Sequence, residues 1–177
     1  MKNLIEKYSF MFVIAVVIVV FDQWTKWLVR VSLPLRATWL PESLDWLSPY
    51  ARIVHWHNTG AAFGMFQGGS MVFTVLAIIV IGAIIYYFPQ VEKSDWSLRV
   101  AMSMQLGGAL GNLTDRLTND GRVTDFLSVG TFPVFNVADA SISVGTVILL
   151  FGVYLQERAA KNKGISEAVI SEKVEGM

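Results

Sequence analysis

The stretch "MVFTVLAIIVIGAIIYYF", Met71 to Phe88, carries one threonine as its only conventional polar residue. As a helix rising 1.5 Å per residue it would be about 27 Å long, close to the hydrocarbon thickness of a bilayer. Tyr86 and Tyr87 close it with side chains suited to an interfacial belt, and Pro89 stops it. Composition points the same way: 54% of the 177 residues are hydrophobic and only 16% are charged, against roughly 25% charged in a soluble domain.

Three other segments can join this one in a membrane. "FMFVIAVVIVVF", Phe10 to Phe21, has no polar residue and follows Lys2 and Lys7. The pattern runs on through "DQWTKWLV" to Val29 with no small-x-small cleavage site, so it reads as a retained span rather than a removed leader. "ASISVGTVILLFGVYL", Ala140 to Leu155, is uncharged. The weakest candidate is "WSLRVAMSMQLGGALGNL", Trp96 to Leu113, whose Gly107, Gly108, Ala109 and Gly111 would let helices approach closely. The expectation is a mainly α membrane protein in a single domain, 1–177, with four transmembrane helices over about 8–29, 70–88, 96–113 and 138–156.

Lys2 and Lys7, Lys93 with Arg99, and Arg158, Lys161 and Lys163 would lie on one side of such a four-span chain. The positive-inside rule then places both termini and the 157–177 tail in the cytoplasm, although Arg30, Arg36 and Arg52 temper the bias. The 30–69 and 114–137 segments become extracytoplasmic loops. The first is too long for a simple connector and contains the β-prone "ARIVHWH", so a small sheet resting on the membrane surface is expected. The formal net charge of +0 gives no basic field for nucleic acid. The absence of cysteine excludes a disulfide framework, thiolate catalysis and Cys-based zinc sites.

With that topology the unusual polar residues converge on one level, near the outer face. Asp22 and Lys26 fall toward the outer end of the first span, and "HNTGAAFG" (57–64) just before the second. Asn112, Asp115 and Arg116 lie at the end of the third, Asn136 and Asp139 at the mouth of the fourth, and Asp125 in the loop before it. Each also has a plainer reading. Asp22 and Lys26 have the spacing of an i,i+4 ion pair. "NTGAAFG" could be only a turn, and Asp115–Arg116 only helix-end charges. Asn136 and Asp139 resemble a helix cap, in which the dipole would favour an acid. His55 and His57 alternate on a possible strand and could hold a metal, but no HExxH helix accompanies them and a structural role fits better.

Two carboxylates without cysteine or a zinc motif can share one proton, because close like charges resist simultaneous ionisation. The ionised member can deprotonate an attacking water while the protonated one polarises a carbonyl and later protonates the leaving amine. No G-x-S-x-G pattern supports a serine hydrolase. An aspartic peptidase working at the membrane surface is the natural chemistry, with Asp125 and Asp139 as the candidate pair.

The ordered set "DQWTK" (22–26), "NTGAAFG" (58–64), "GGALGNLTDR" (107–116), "VTDF" (123–126) and "FNVAD" (135–139) resembles the lipoprotein signal peptidase (signal peptidase II) family over roughly residues 8 to 157. The resemblance implies an inner-membrane aspartic endopeptidase with an extracytoplasmic β-cradle. Such enzymes remove the signal peptide from diacylglyceryl-modified prolipoproteins, cutting just before the lipidated cysteine. It further implies Asp125 and Asp139 as catalytic dyad. Asn58, Gly60, Asn112, Arg116, Asn136 and the Ala138 backbone would position substrate, and Asp22, Lys26 and Asp115 would brace the site. It also implies inhibition by globomycin-type cyclic peptides and no metal or other cofactor. Membrane lipid is the expected surrounding, and nothing in the sequence demands more than a monomer. Gly60, Ala61 and Ala62 would leave room for a substrate backbone. A rival reading, an ion-coupled carrier relaying protons through Asp22, Asp125 and Asp139, lacks both repeated halves and acids along a transmembrane path.

Overall fold

The computed structural model describes residues 2–60 and 69–175. In chain order it contains α1 (Lys2–Ser32), β1 (Thr38–Trp39), a 3-10 turn at Glu42–Leu47, β2 (Ala51–Asn58) and α2 (Ser70–Tyr87). A second 3-10 turn at Phe88–Gln90 leads to α3 (Trp96–Thr118), β3 (Val123–Val129) and α4 (Val137–Glu175). It is a mainly helical protein with one small antiparallel sheet.

α3 is the axis of the bundle and packs against α1, α2 and α4. That position explains why its sequence is the least apolar of the four helices. A helix sheathed by other helices meets protein rather than lipid, so it can carry small and polar side chains. Its glycines mark the closest approaches. A Cβ on Gly107 would lie 2.8 Å from Ile18 Cβ of α1, and one on Gly108 would lie 2.5 Å from the Ala138 carbonyl oxygen of α4. A Cβ on Gly111 would lie 2.6 Å from Asp22 Oδ2.

The outer helices show the opposite pattern. Val13, Val16, Val17 and Val20 on α1, Val72, Ile78 and Ile79 on α2, and Val147, Leu150 and Phe151 on α4 are all exposed. Apolar surface of this extent does not face water in a soluble monomer. Among the described residues, Ser70–Gln90 and Val137–Arg158 are long and apolar enough to cross a bilayer. The molecule is an integral membrane protein. One end of the bundle is closed by an apolar cluster of Met11, Ala15, Ile84, Phe88, Met102 and Leu106. There the Arg99 guanidinium stacks 4.4 Å from the Phe88 ring centroid and donates to the Val91 carbonyl.

At the other end lies the sheet, in strand order β1-β2-β3 with both pairings antiparallel. The β-prone "ARIVHWH" becomes β2, as expected from its β-branched and aromatic content. The segment holding Asp125 differs from its reading as a loop: it forms β3, with Trp56 opposite Asp125 and His57 opposite Thr124. Nearly every residue of β3 is buried. A strand covered on both faces loses the in-out alternation by which a strand is recognised. α3 also runs past the expected 113 to Thr118, and α4 continues as helix beyond 156. The connection from α3 to β3 turns through Asp120 and Gly121, both with positive φ (50° and 78°). That conformation suits an Asp-Gly pair.

Candidate active site

The site is built upward from α1. Asp22, Lys26 and Arg30 recur every fourth residue and therefore form one stripe. Lys26 and Asp22 are fully buried, with Nζ 2.8 Å from Asp22 Oδ2 and 3.6 Å from Asp115 Oδ2. Lys26 also donates to Asn112 Oδ1 at 3.0 Å. Arg30 reaches Asp115 Oδ1 at 3.3 Å and donates to Thr124 Oγ1 at 3.1 Å. Gln23 donates to the Gly111 carbonyl and to Asp115 Oδ1. Buried charges persist only when paired and hydrogen-bonded, and here the remaining acceptor sites are taken by backbone. The Thr124 N–H donates to Asp115 Oδ2 at 2.8 Å, and the Ala138 N–H donates to Asp22 Oδ1 at 2.9 Å. The network thus ties β3 and the start of α4 to α1 and α3.

On this base stand two further carboxylates. α4 opens with a reciprocal cap: Asn136 Oδ1 accepts the Asp139 N–H at 2.9 Å, and Asp139 Oδ2 accepts the Asn136 N–H at 3.2 Å. Asn136 Nδ2 is left free to donate to Asp125 Oδ1 at 2.7 Å and to Asn112 Oδ1 at 3.0 Å. Asn112 Nδ2 in turn donates to Asp139 Oδ1 at 2.7 Å. Asn58 Nδ2 donates to Asp125 Oδ2 at 3.0 Å, while its own Oδ1 accepts the Gly60 N–H at 2.9 Å. Asp125 from β3 and Asp139 from α4 are therefore joined through the single residue Asn136. Burial, and secondly the Asp139 charge, push the Asp125 carboxyl up to about 7, against the weaker pull of the Asn58 and Asn136 hydrogen bonds.

A cavity of about 470 Å³ opens beside the pair, lined by Asn58, Gly60, Arg116, Asp125, Asp139 and Phe73 among others. Arg116 is half-buried, its guanidinium 5.7 Å from the Phe73 ring centroid, and its Nη1 donates to the Asn112 carbonyl at 3.5 Å. Ile142 and Ser143 of α4 extend the wall toward the apolar belt. Two carboxylates facing a cavity, one inclined to keep its proton near neutral pH, are equipped for general acid–base chemistry.

Known proteins are similar to this chain in sequence and in fold. The profile of the family described as Signal peptidase (SPase) II matches residues 14–155. A lipoprotein signal peptidase of Geobacillus kaustophilus is 41% identical over 155 residues, covering 85% of this chain and 96% of that protein. One from Symbiobacterium thermophilum is 40% identical over 150 residues, covering 82% and 95%. A bacterial membrane enzyme solved by the in meso method superposes with a TM-score of 0.74 at 30% identity, covering 85% of this chain and 90% of that one.

The chain belongs to the signal peptidase II family.

As a member of that family it is a protease. Of the residues singled out in the sequence, Asn58, Gly60, Asn112 and Arg116 line the cavity with the two aspartates. Asn136 is fully buried between them, acting on the carboxylates rather than facing open space. Ala138 is turned away: it is wholly buried and its N–H is taken by Asp22, so this geometry gives its backbone a bracing place. Asp22 and Lys26 form the i,i+4 ion pair, and Lys26 also reaches Asp115 and, through Asn112, the residue that donates to Asp139. Ala61, Ala62 and Gly64 lie outside the described residues. Gln23, Arg30 and Thr124 join the network although they are not among the sequence's candidates. Arg30 carries a signal, since it extends the 22–26 stripe by one turn. Thr124 carries none, because its contributions are a backbone N–H to Asp115 and a hydroxyl that accepts from Arg30.

The two histidines serve elsewhere. His55 Nδ1 donates to the Leu33 carbonyl at 2.8 Å and its ring meets that of His57 edge-on, with centroids 5.2 Å apart. Burial first, then His55, Arg122 and Arg30, hold His57 below its usual range. Among the described residues no group of three or more metal-ligating side chains converges.

Proposed function

We propose that Asp125 and Asp139 are the acid–base pair with which this signal peptidase II removes signal peptides from diacylglyceryl-modified prolipoproteins, cutting just before the lipidated cysteine. The observation that carries the proposal is the link from Asp125 through Asn136 to Asp139 at the wall of one cavity. Asp139 takes a proton from water as its oxygen attacks the scissile carbonyl. Protonated Asp125 donates to that carbonyl oxygen as negative charge develops on it. As the tetrahedral carbon collapses, the C–N bond breaks and a proton passes to the departing amine of the cysteine. Asn58, Asn112 and Asn136 hold the carboxylates in place. The Arg116 fork, over the Phe73 ring, offers paired donors to a substrate carbonyl in a way that lysine would not.

In this reading all four helices cross the bacterial inner membrane, both termini are cytoplasmic, and the sheet rests on the outer surface. α3 crosses despite its polarity because α1, α2 and α4 shield it. The protein acts as a monomer among membrane lipids and is a target for globomycin-type cyclic peptides. The test is cleavage of a diacylglyceryl-modified prolipoprotein by the purified protein, with the cut located by mass spectrometry. Asp125→Asn and Asp139→Asn should each retain the fold by circular dichroism and lower turnover at least about 1,000-fold. Ordinary turnover by either variant would remove that residue from the dyad.

A further inference from the structure

The triplet His55-Trp56-His57 is split by strand geometry. β2 has a register irregularity between Ile53 and Trp56, and from Trp56 on its successive side chains point to opposite faces. The two histidine rings meet on one face, where His55 is anchored to the Leu33 carbonyl at the end of α1. Trp56 must then point to the other. Its partner in the register is Asp125, and residues directly opposite on antiparallel strands project from the same face. Asn58, two residues further along that face, donates to Asp125. Yet Trp56 is 47% exposed while Asp125 is 1% exposed. A large indole thus stands at the rim of the site, beside the carboxylate and outside the cavity lining.

The direction of the substrate follows from the walls. On one side of the aspartates the cavity runs along Phe73 of α2 and Ile142 of α4, helices whose outer faces are exposed and apolar. An apolar signal segment ends there. The chain on the other side of the scissile bond has to leave over the sheet, where Trp56 projects. We infer that Trp56 is a substrate-positioning residue that packs against the extended segment following the lipidated cysteine, and that it makes the enzyme sensitive to the mature part of its substrates. A flat indole suits this task because it stacks on an extended backbone of almost any sequence and keeps an N–H to donate.

This inference rests on the proposed dyad and substrate, and the experiment separates the two. Two diacylglyceryl-modified substrates are compared, one with a mature segment of about ten residues and one ending directly after the lipidated cysteine. If the wild type cleaves neither, the proposed function fails. If it cleaves them, Trp56→Ala should raise KM for the long substrate about fivefold more than for the short one. kcat should change little, and Trp56→Phe should restore most of the difference. An equal effect on both substrates would overturn the inference and leave Trp56 as a membrane-interface or structural residue. No effect on either would overturn it as well.

Discussion

The two ends of the bundle are built by opposite rules from the same helices. At one end Met11, Phe88, Met102 and Leu106 fit mainly by shape, with the Arg99 guanidinium laid over the Phe88 ring. At the other Asp22, Lys26, Asn112, Asp115, Asp125 and Asn136 are buried as deeply and fit by matching donors to acceptors. An apolar core tolerates change in proportion to the volume altered. A buried polar network is less forgiving, since removing one member strands the others. The first arrangement holds helices together. The second holds two carboxylates at fixed places, and its desolvation cost is the cost of that placement.

Lys26→Met is the most severe way to test the contrast. It leaves Asp22 and Asp115 facing each other without the cation between them and should lower stability by about 3–5 kcal/mol. Because Asp22 and Asp115 orient α4 and β3, turnover of the surviving folded protein should fall as well. Unfolding in detergent, read beside cleavage per folded molecule, measures both.

Leu106→Ala cuts into the apolar end. It should cost about 2–5 kcal/mol by opening a cavity, but cleavage per folded molecule at low temperature should stay near that of the wild type. A large loss of turnover without loss of fold would show that the two ends are coupled.

A finer comparison uses two glycines. Gly111→Ala sets a methyl group 2.6 Å from Asp22 Oδ2 and 3.2 Å from Ala138 Cβ. It should cost about 1–3 kcal/mol by overpacking and reduce turnover by shifting α4. Gly82→Ala on α2 meets nothing within 4 Å and should be neutral, or stabilise by up to about 1 kcal/mol. Melting temperatures of the two variants side by side decide it.

The polar end was more legible in the sequence than the scaffold that carries it. A carboxylate or an amide in an apolar chain is conspicuous, so Asp22, Lys26, Asn112, Asp125 and Asp139 stood out, and a four-span trace brought them to one level. α3 was hard to see because hydropathy reports contact with lipid, and α3 is sheathed by protein. By sequence Asp125 reads as a loop residue because β3, covered on both faces, shows no alternation. Arg30 by sequence reads only as a charge that sets topology, although its spacing from Lys26 places it on the same helix stripe. Ala138 shows the limit most plainly. Its part depends on where one backbone N–H points, and no residue type encodes that.

The raised pKa of Asp125 gives the central claim its sharpest test. A carboxyl that holds its proton to about 7 when folded, but to about 4 when unfolded, contributes its full share of stability only below about 4. That share is lost as pH rises toward 7. Catalysis needs the same proton, so the measurement is kcat/KM for a diacylglyceryl-modified prolipoprotein across the pH range. The expected profile falls about tenfold per pH unit above about 7, as Asp125 ionises and the acid of the pair is lost. A rate that stays constant to about pH 9 would contradict an acid role for Asp125 and, with it, the shared-proton dyad.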